Sequence, residues 1–381
     1  MASHWQRKPL LVRAAFPDFR SPIAPQRLFE IASDEDDGAE SRLIRRHRGR
    51  WSLDHGPFEP GLLPLKARRD WTLLVQGMDL HDDSIRAILD RFRFIADARL
   101  DDLMISYAVD GGGVGPHLDS YDVFLVQAHG KRHWRYGLQR NTKLLDGEPL
   151  KLLQDFRPQY EAVLEPGDML YLPPGWAHDG MAIGECMTFS VGFRAPSRHE
   201  LIAAWLADCA DEPPQGLNPR FADPGTRPTR RPGQIPDTMA ATLGDWIHQW
   251  KPDKASVDQF IGRFLTEPKP SVWFDPPARA LATRAFADRV HRDGLIADRR
   301  SRMAYRGRYL FINGECIEVP ASDKTILQRF ADLRNLPPDA MRAASLTPTL
   351  LQTLQQWFDA GWIHFGPKAV SGRSGPLDKK P

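Results

Sequence analysis

Read as a string of apolar and polar positions, the chain changes texture three times. Up to about residue 70, short apolar pieces mix with Pro and charge. Pro9-Leu-Leu-Val-Arg has the pattern of an edge strand, and Pro25 to Ala32 and Leu80 to Phe94 carry helical spacing. From Trp71 the segments WTLLVQGM, LMISYAV, DVFLVQAHG, KRHWRYGL, AVLEPGDMLYLP and CMTFSVGFR follow one another, set apart by Gly, Pro and Asp. Their β-branched and aromatic side chains suit a pleated, half-buried surface, which predicts many short strands closing into a sandwich or barrel. After Arg198 the spacing turns helical again, first in HELIAAWLADCAD and then from Asp237 to Leu265, where Met239, Leu243, Ile247 and Trp250 fall near one face. Between these two, Glu212 to Pro236 is so rich in Pro and Gly that it predicts a linker or extended loop.

The last part has a pattern of its own. Tyr309-Leu-Phe-Ile and Glu315-Cys-Ile-Glu-Val flank Asn313-Gly314, a pair that tolerates the positive φ angles of a type I′ turn and so predicts a two-residue hairpin. Two amphipathic segments follow, Ser322 to Leu333 and Leu346 to Ala360, and then Trp362-Ile-His-Phe. This order fits a small α+β unit of winged-helix type.

Composition narrows the class without naming a chemistry. A chain of 381 residues is long enough for two to three domains and a large core. The 51 basic and 49 acidic residues leave a net charge of +2, so bulk charge argues for neither a nucleic-acid nor a membrane partner. Locally the charge is uneven: an acidic run, Asp34 to Glu40 (DEDDGAE), precedes Arg42 to Arg50 (RLIRRHRGR). The acidic run reads first as a solvated loop, and second as a patch that steers a basic partner. Three scattered cysteines suit neither a disulfide framework nor a cysteine zinc site, and they predict a reducing, cytoplasmic setting.

The chemistry concentrates in GGGVGPHLDSYDVFLVQAHGKRHWRYGLQR. His117 and Asp119 are two residues apart and share one face of an extended chain. With a histidine from another strand they make a facial triad, which leaves coordination positions open for a chelating cosubstrate and dioxygen. His178, just past Tyr171-Leu-Pro-Pro-Gly-Trp where a strand meets a turn, is the candidate third ligand. Zinc also accepts two His and one carboxylate, so the triad by itself leaves the metal open. Arg132 is the discriminating residue: a 2-oxoacid that chelates a metal still needs a cation for its far carboxylate, and a guanidinium meets a carboxylate with two hydrogen bonds. Lys131 points to the other face of the same strand. Ser106, Thr188 and Ser190 are candidate hydroxyl donors to the cosubstrate.

The segments GGGVGPHLDSYDVFLVQAHGKRHWRYG, EPGDMLYLPPGWAHDG and TFSVGFRAPS resemble the bacterial ribosomal oxygenases, JmjC-type cupin enzymes dependent on iron(II) and 2-oxoglutarate. The resemblance is closest over residues 1–200. It implies a mainly β fold with helices: a double-stranded β-helix (cupin/JmjC jelly roll) over 1–200, a helical dimerisation region over 201–300, and a winged-helix-like domain over 301–375. It implies a metal triad at His117, Asp119 and His178, a carboxylate-binding arginine at Arg132, and cosubstrate contacts near Ser106 and Thr188. Ala108 departs from the pattern, because a small hydroxyl residue is expected there. The implied activity is hydroxylation of an arginine of large-subunit ribosomal protein sixteen, with iron(II), 2-oxoglutarate and dioxygen, by a cytoplasmic homodimer.

Three other readings compete: a histidine hydroxylase of a ribosomal protein, a JmjC-type lysine demethylase, and a metal cupin that only binds. No zinc-finger spacing or aromatic cage supports the demethylase. Tyr121 and Asp122 are candidates for contact with a substrate guanidinium. The tail carries Arg329, Arg334 and Arg342 but no basic stripe, so direct nucleic-acid binding is not expected.

Overall fold

The computed structural model describes residues 2–366, apart from 36–38, 60, 62, 64–67, 212–219, 225–230, 232, 250, 251 and 345. Nine strands form the largest sheet: β1 (Leu10–Val12), β2 (Ser41–His47), β3 (Arg50–His55), β4 (Trp71–Val75), β5 (Leu100–Ala108), β6 (Val123–Leu138), β7 (Tyr160–Leu164), β8 (Met169–Leu172) and β9 (Trp176–Phe193). Their hydrogen-bonded order is β1-β8-β6-β9-β5-β4-β2-β3, with β7 also on β6. β1 is an edge strand, as its sequence predicts.

β6 and β9 are long, and each half pairs with different neighbours. The first half of β6 pairs with β8 and its second half with β7, while β9 runs beside β6 throughout and hands its second half to β5. The sequence reads the two halves of β6 as separate strands divided at Gly130. The chain instead continues through a bulge there, with register shifts between Gln127 and Lys131. Gly130 has φ +60, and a Cβ on it would lie 2.0 Å from the Glu185 carbonyl oxygen, so the bend requires glycine.

Strand alternation then divides the side chains between two environments. Odd positions of β5 and β9 (Leu103, Ile105, Tyr107, Met187, Phe189, Val191) join the main core with α1 (Pro25–Ser33) and α2 (Asp83–Leu89). Even positions face the barrel interior, with Ser106 opposite Thr188 and Ala108 opposite Cys186. One part of that interior is apolar, filled by Val123, Leu125, Tyr136, Leu164, Leu170 and Leu172.

Helices α3 (Arg198–Asp211), α4 (Asp237–Gln249) and α5 (Lys254–Thr266) follow. The single helical run read from Asp237 to Leu265 is therefore two helices. Trp250 and most of Glu212 to Pro236 lie outside the described residues, as do three residues of the acidic run. A second core gathers α6 (Thr283–Asp293), Leu310, Ile312, Phe330, Trp357 and Ile363. The Asn313-Gly314 turn forms as expected, with φ +50 and +86, joining strands in which Ile312 opposes Glu315. Arginines tie this unit to the barrel: Arg299 donates to the Leu80 carbonyl (2.7 Å), Arg302 to that of Asp101 (2.8 Å) and Arg93 to that of Ala331 (3.0 Å).

Asp122 is fully buried and accepts from Tyr171 Oη (2.6 Å), Gln6 Nε2 (3.0 Å) and Arg99 Nη2 (3.1 Å). It therefore holds the N-terminal segment, β8 and the approach to β5 together, and is not a substrate contact. Removing it strands buried donors, so Asp122→Ala should lower stability by about 3 kcal/mol. Urea denaturation checks this; a loss below a tenth of that figure would refute the clamp.

Candidate active site

The site begins with backbone. His117 N donates to the His178 carbonyl and His178 N to that of His117, both at 3.0 Å, a reciprocal antiparallel bridge. Residues so paired present their side chains together on one face. The two imidazole centroids are 4.3 Å apart with planes at 59°. Gly175 N donates to the Asp119 carbonyl (3.0 Å), so the loop stays in register and brings Asp119 to the same side, its Oδ2 3.6 Å from His178 Nε2. One ligand atom from each of the three lies within 4.8 Å of the others.

The ring nitrogens are oriented for this. His117 Nδ1 is 2.9 Å from the Gly115 carbonyl and His178 Nδ1 is 3.1 Å from that of Trp176. A carbonyl only accepts, so each Nδ1 carries the proton and each Nε2 keeps its lone pair for a cation. His178 is buried, and that burial, with His117 alongside, pushes its pKa down to about 4, with Asp119 opposing. It is therefore a neutral imidazole at physiological pH, as a metal ligand must be.

The tight run before His117 is set by close approaches. A Cβ on Gly113 would lie 2.5 Å from the Gly180 carbonyl oxygen, and one on Gly180 would sit 2.6 Å from the Trp134 ring. Trp134 thus lies flat across β9, with His178 5.9 Å away between centroids and the Arg132 guanidinium 5.8 Å from its own.

Arg132 is inside and Lys131 outside, as alternation predicts. Arg132 is 4% exposed. Its Nη1 donates to Ser106 Oγ at 2.9 Å, while Nε and Nη2 find no partner among the described residues. Holding a guanidinium out of water costs several kcal/mol, and one neutral hydroxyl returns only about 1 to 3. Two buried donors in a rigid fork fit a carboxylate of a small acid, so the residues present fit a 2-oxoacid cosubstrate as well as a metal.

Ser106, Thr188 and Gln127 lie in register across β5, β9 and β6. The Thr188 hydroxyl proton goes to Gln127 Oε1 (3.0 Å), whose amide in turn donates to the His129 carbonyl (2.8 Å) at the bulge. Ala108 sits with Ala182 and Cys186 in a small buried apolar group that offers no hydroxyl. Sequence reasoning missed Trp134, whose buried indole Nε1 has no partner among the described residues and adds a donor to this wall. It also missed Gln127, and an alternation count along β6 would have placed Gln127 inside. Ser190 is buried one step further along β9.

The JmjC domain family matches residues 87–201, and the ROXA-like winged helix family matches 245–364. The chain is 32% identical to the Escherichia coli ribosomal protein uL16 3-hydroxylase over 95% of both chains. A crystal structure of E. coli ycfD superposes with a TM-score of 0.84 at 31% identity, over 96% of each chain. That E. coli ribosomal oxygenase is also known in complex with cobalt and 2-oxoglutarate, matching with a TM-score of 0.79 at 30% identity over 95% and 96% of the chains.

Substitution separates the two halves of the site. Arg132→Ala should raise the 2-oxoglutarate concentration for half-maximal turnover at least tenfold, as expected for loss of a charged hydrogen-bonding pair. His117→Ala should abolish turnover at any cosubstrate concentration. Succinate release against 2-oxoglutarate concentration reads both; unchanged curves would remove the assigned roles.

Proposed function

Because this chain belongs to the JmjC-domain ribosomal oxygenases, we propose that it is an iron(II)- and 2-oxoglutarate-dependent hydroxylase of an arginine side chain in a large-subunit ribosomal protein. The protein uL16, for which the E. coli relative is named, is the first substrate to test. The observation that carries the reading is the buried Arg132, with two nitrogens that find no partner among the described residues, in the same barrel interior as the His117, Asp119 and His178 group.

In this proposal His117 and His178 hold iron(II) through Nε2 and Asp119 through a carboxylate oxygen. Arg132 and Ser106 hold the far carboxylate of 2-oxoglutarate, with Thr188 beside them. Bound iron and 2-oxoglutarate supply, with dioxygen, an oxidative decarboxylation to succinate and carbon dioxide coupled to insertion of one oxygen atom into a C–H bond. The chain's own part is placement. The His117–His178 bridge fixes two ligands before any cation arrives, Arg132 fixes the cosubstrate's direction, and Trp134 with the apolar end of the barrel keeps water from that side.

The remaining assignments follow from packing. The proposed catalytic unit spans 1–200, followed by a pairing region and the winged-helix-type unit. Exposed apolar stripes at i, i+4 on α3 (Ile202 49%, Leu206 54%) and α4 (Leu243 36%, Ile247 75%) suit burial against a second copy, so the protein is proposed to be a homodimer. Arg334 in the tail is buried, donating to the Ser301 and Asp298 carbonyls, so it holds the unit together and reads no phosphate. Among the described residues no helix is long and apolar enough to cross a membrane. Work on a ribosomal protein supports a cytoplasmic setting as part of this proposal.

Mass spectrometry of uL16 incubated with the enzyme, iron(II) and 2-oxoglutarate should show a gain of one oxygen atom on an arginine. Loss of a methylene from a methylated lysine would replace the reading with demethylation. Light scattering should report a dimer that Ile202→Asp with Ile247→Asp converts to a monomer; a dimer in the double variant would move the interface elsewhere.

A further inference from the structure

The hairpin formed by β2 and β3 has no part in the chemistry above, yet it carries the densest positive charge in the chain. Arg42, Arg45, Arg46, Arg48 and Arg50 fall within nine residues. Three nearby ion pairs absorb part of the charge: Arg45 with Asp54, Arg46 with Asp70 (3.4 Å) and Arg69 with Asp110 (2.7 Å). Arg48, Arg50 and Arg68 are exposed and have no carboxylate partner among the described residues. His47 is exposed beside them. Glu148 is the acidic neighbour, 3.4 Å from the Trp51 N–H.

These cations share one end of the sheet. Arg48 and Gly49 form the tip, with φ +50 and +78, between the paired residues His47 and Arg50. Trp71 opposes Arg45, and Arg46 N donates to the Asp70 carbonyl, so residues 68–70 run alongside the tip. That end borders the loop leading to His117. Asp70 N donates to the Asp110 carbonyl, and a Cβ on Gly115 would lie 3.0 Å from the Trp51 ring. β3 is the outermost strand, so its far edge pairs with no strand among the described residues.

We propose that this hairpin is an RNA-binding rim beside the active site, its free arginines meeting phosphates. The proposal rests on the reading that the substrate is a ribosomal protein. Such proteins are cationic because they pack against RNA, and a rim of uncompensated guanidinium groups repels a free cationic chain. The polyanion that accompanies the substrate is its RNA, and arginine's planar fork matches a phosphate. The net charge of +2 hides this concentration, which is why bulk charge argues against nucleic acid and the hairpin argues for it.

Fluorescence anisotropy with a short mixed-sequence RNA tests the rim on the full-length enzyme. Affinity should fall steeply with salt. Arg48→Asn with Arg50→Gln should weaken binding tenfold or more and flatten the log–log salt slope by about 1.4, the counterion release of two single-strand phosphate contacts. Both positions are exposed, and Asn accepts the positive φ at 48, so the fold should survive. Hydroxylation of a free uL16 peptide should not fall in this variant, since the lost charges only repel it. Absence of RNA binding at low salt, or identical binding by the variant, would overturn the proposal. Equal, equally lost binding of polyglutamate would reassign the rim to an acidic protein. Failure of peptide hydroxylation alongside normal RNA binding would sink the enzymatic reading and leave the rim standing.

Discussion

The arrangement depends on one short backbone interaction, the pair of hydrogen bonds between His117 and His178. Two residues far apart in sequence become nearest neighbours, and antiparallel geometry puts both imidazoles on one side. Much of the surrounding sequence serves to let that bridge form. Glycines at 113 and 180 allow strand and loop to approach to contact distance, and the bulge at Gly130 turns β6 so that its second half lies beside β9 where His178 begins. The Nδ1 bonds to Gly115 and Trp176 then orient rings the backbone has already placed. No step in this ordering requires a cation, which is the condition for a site whose ligands are prearranged.

The second constraint is electrostatic. The barrel interior is shared between an apolar end and a polar belt, and Arg132 is the charged residue of the belt. An arginine packed only for stability would have its donors satisfied by carbonyls, as Arg334 does with those of Ser301 and Asp298. Among the described residues Arg132 has one hydroxyl partner and two nitrogens without one. The contrast between two buried arginines in one chain separates a structural cation from one kept for a ligand. It is a stronger argument than the triad, which serves zinc and iron alike.

How much of this was legible in the sequence follows from how local each signal is. Asn313-Gly314 announces its turn in two residues, and His-x-Asp with a later histidine announces a ligand set, so both could be read directly. The Arg48-Gly49 turn uses the same backbone geometry, but arginine at φ +50 carries no turn signature, and the hairpin was read as a charge run. β6 was split at Gly130 because glycine marks both an end and a bulge, and only the partner strand decides which. Asp122 shows the same limit in the other direction. Its neighbours in sequence are site residues, but its partners Gln6, Arg99 and Tyr171 are distant, and they make it a clamp.

The same distinction bears on the substrate. Of the residues proposed for the metal and the 2-oxoacid, Ser106, Arg132, His178 and Thr188 sit on β5, β6 and β9, where pairing register leaves little freedom, and His117 and Asp119 sit on the loop between β5 and β6, tied to β9 by the His117–His178 bridge. The residues proposed to meet a macromolecule lie on the hairpin tip, and there and around Asp110 the ion pairs are exposed and each is worth little. Recognition there cannot come from one strong contact and must come from the summed field of many charges. Among those charges the positive ones prevail at the tip end of the sheet. A cationic protein gains nothing from that field, whereas under the proposed RNA contact an anionic companion does. The barrel thus limits the reaction through register, whereas any selection made at the hairpin has to act through summed charge.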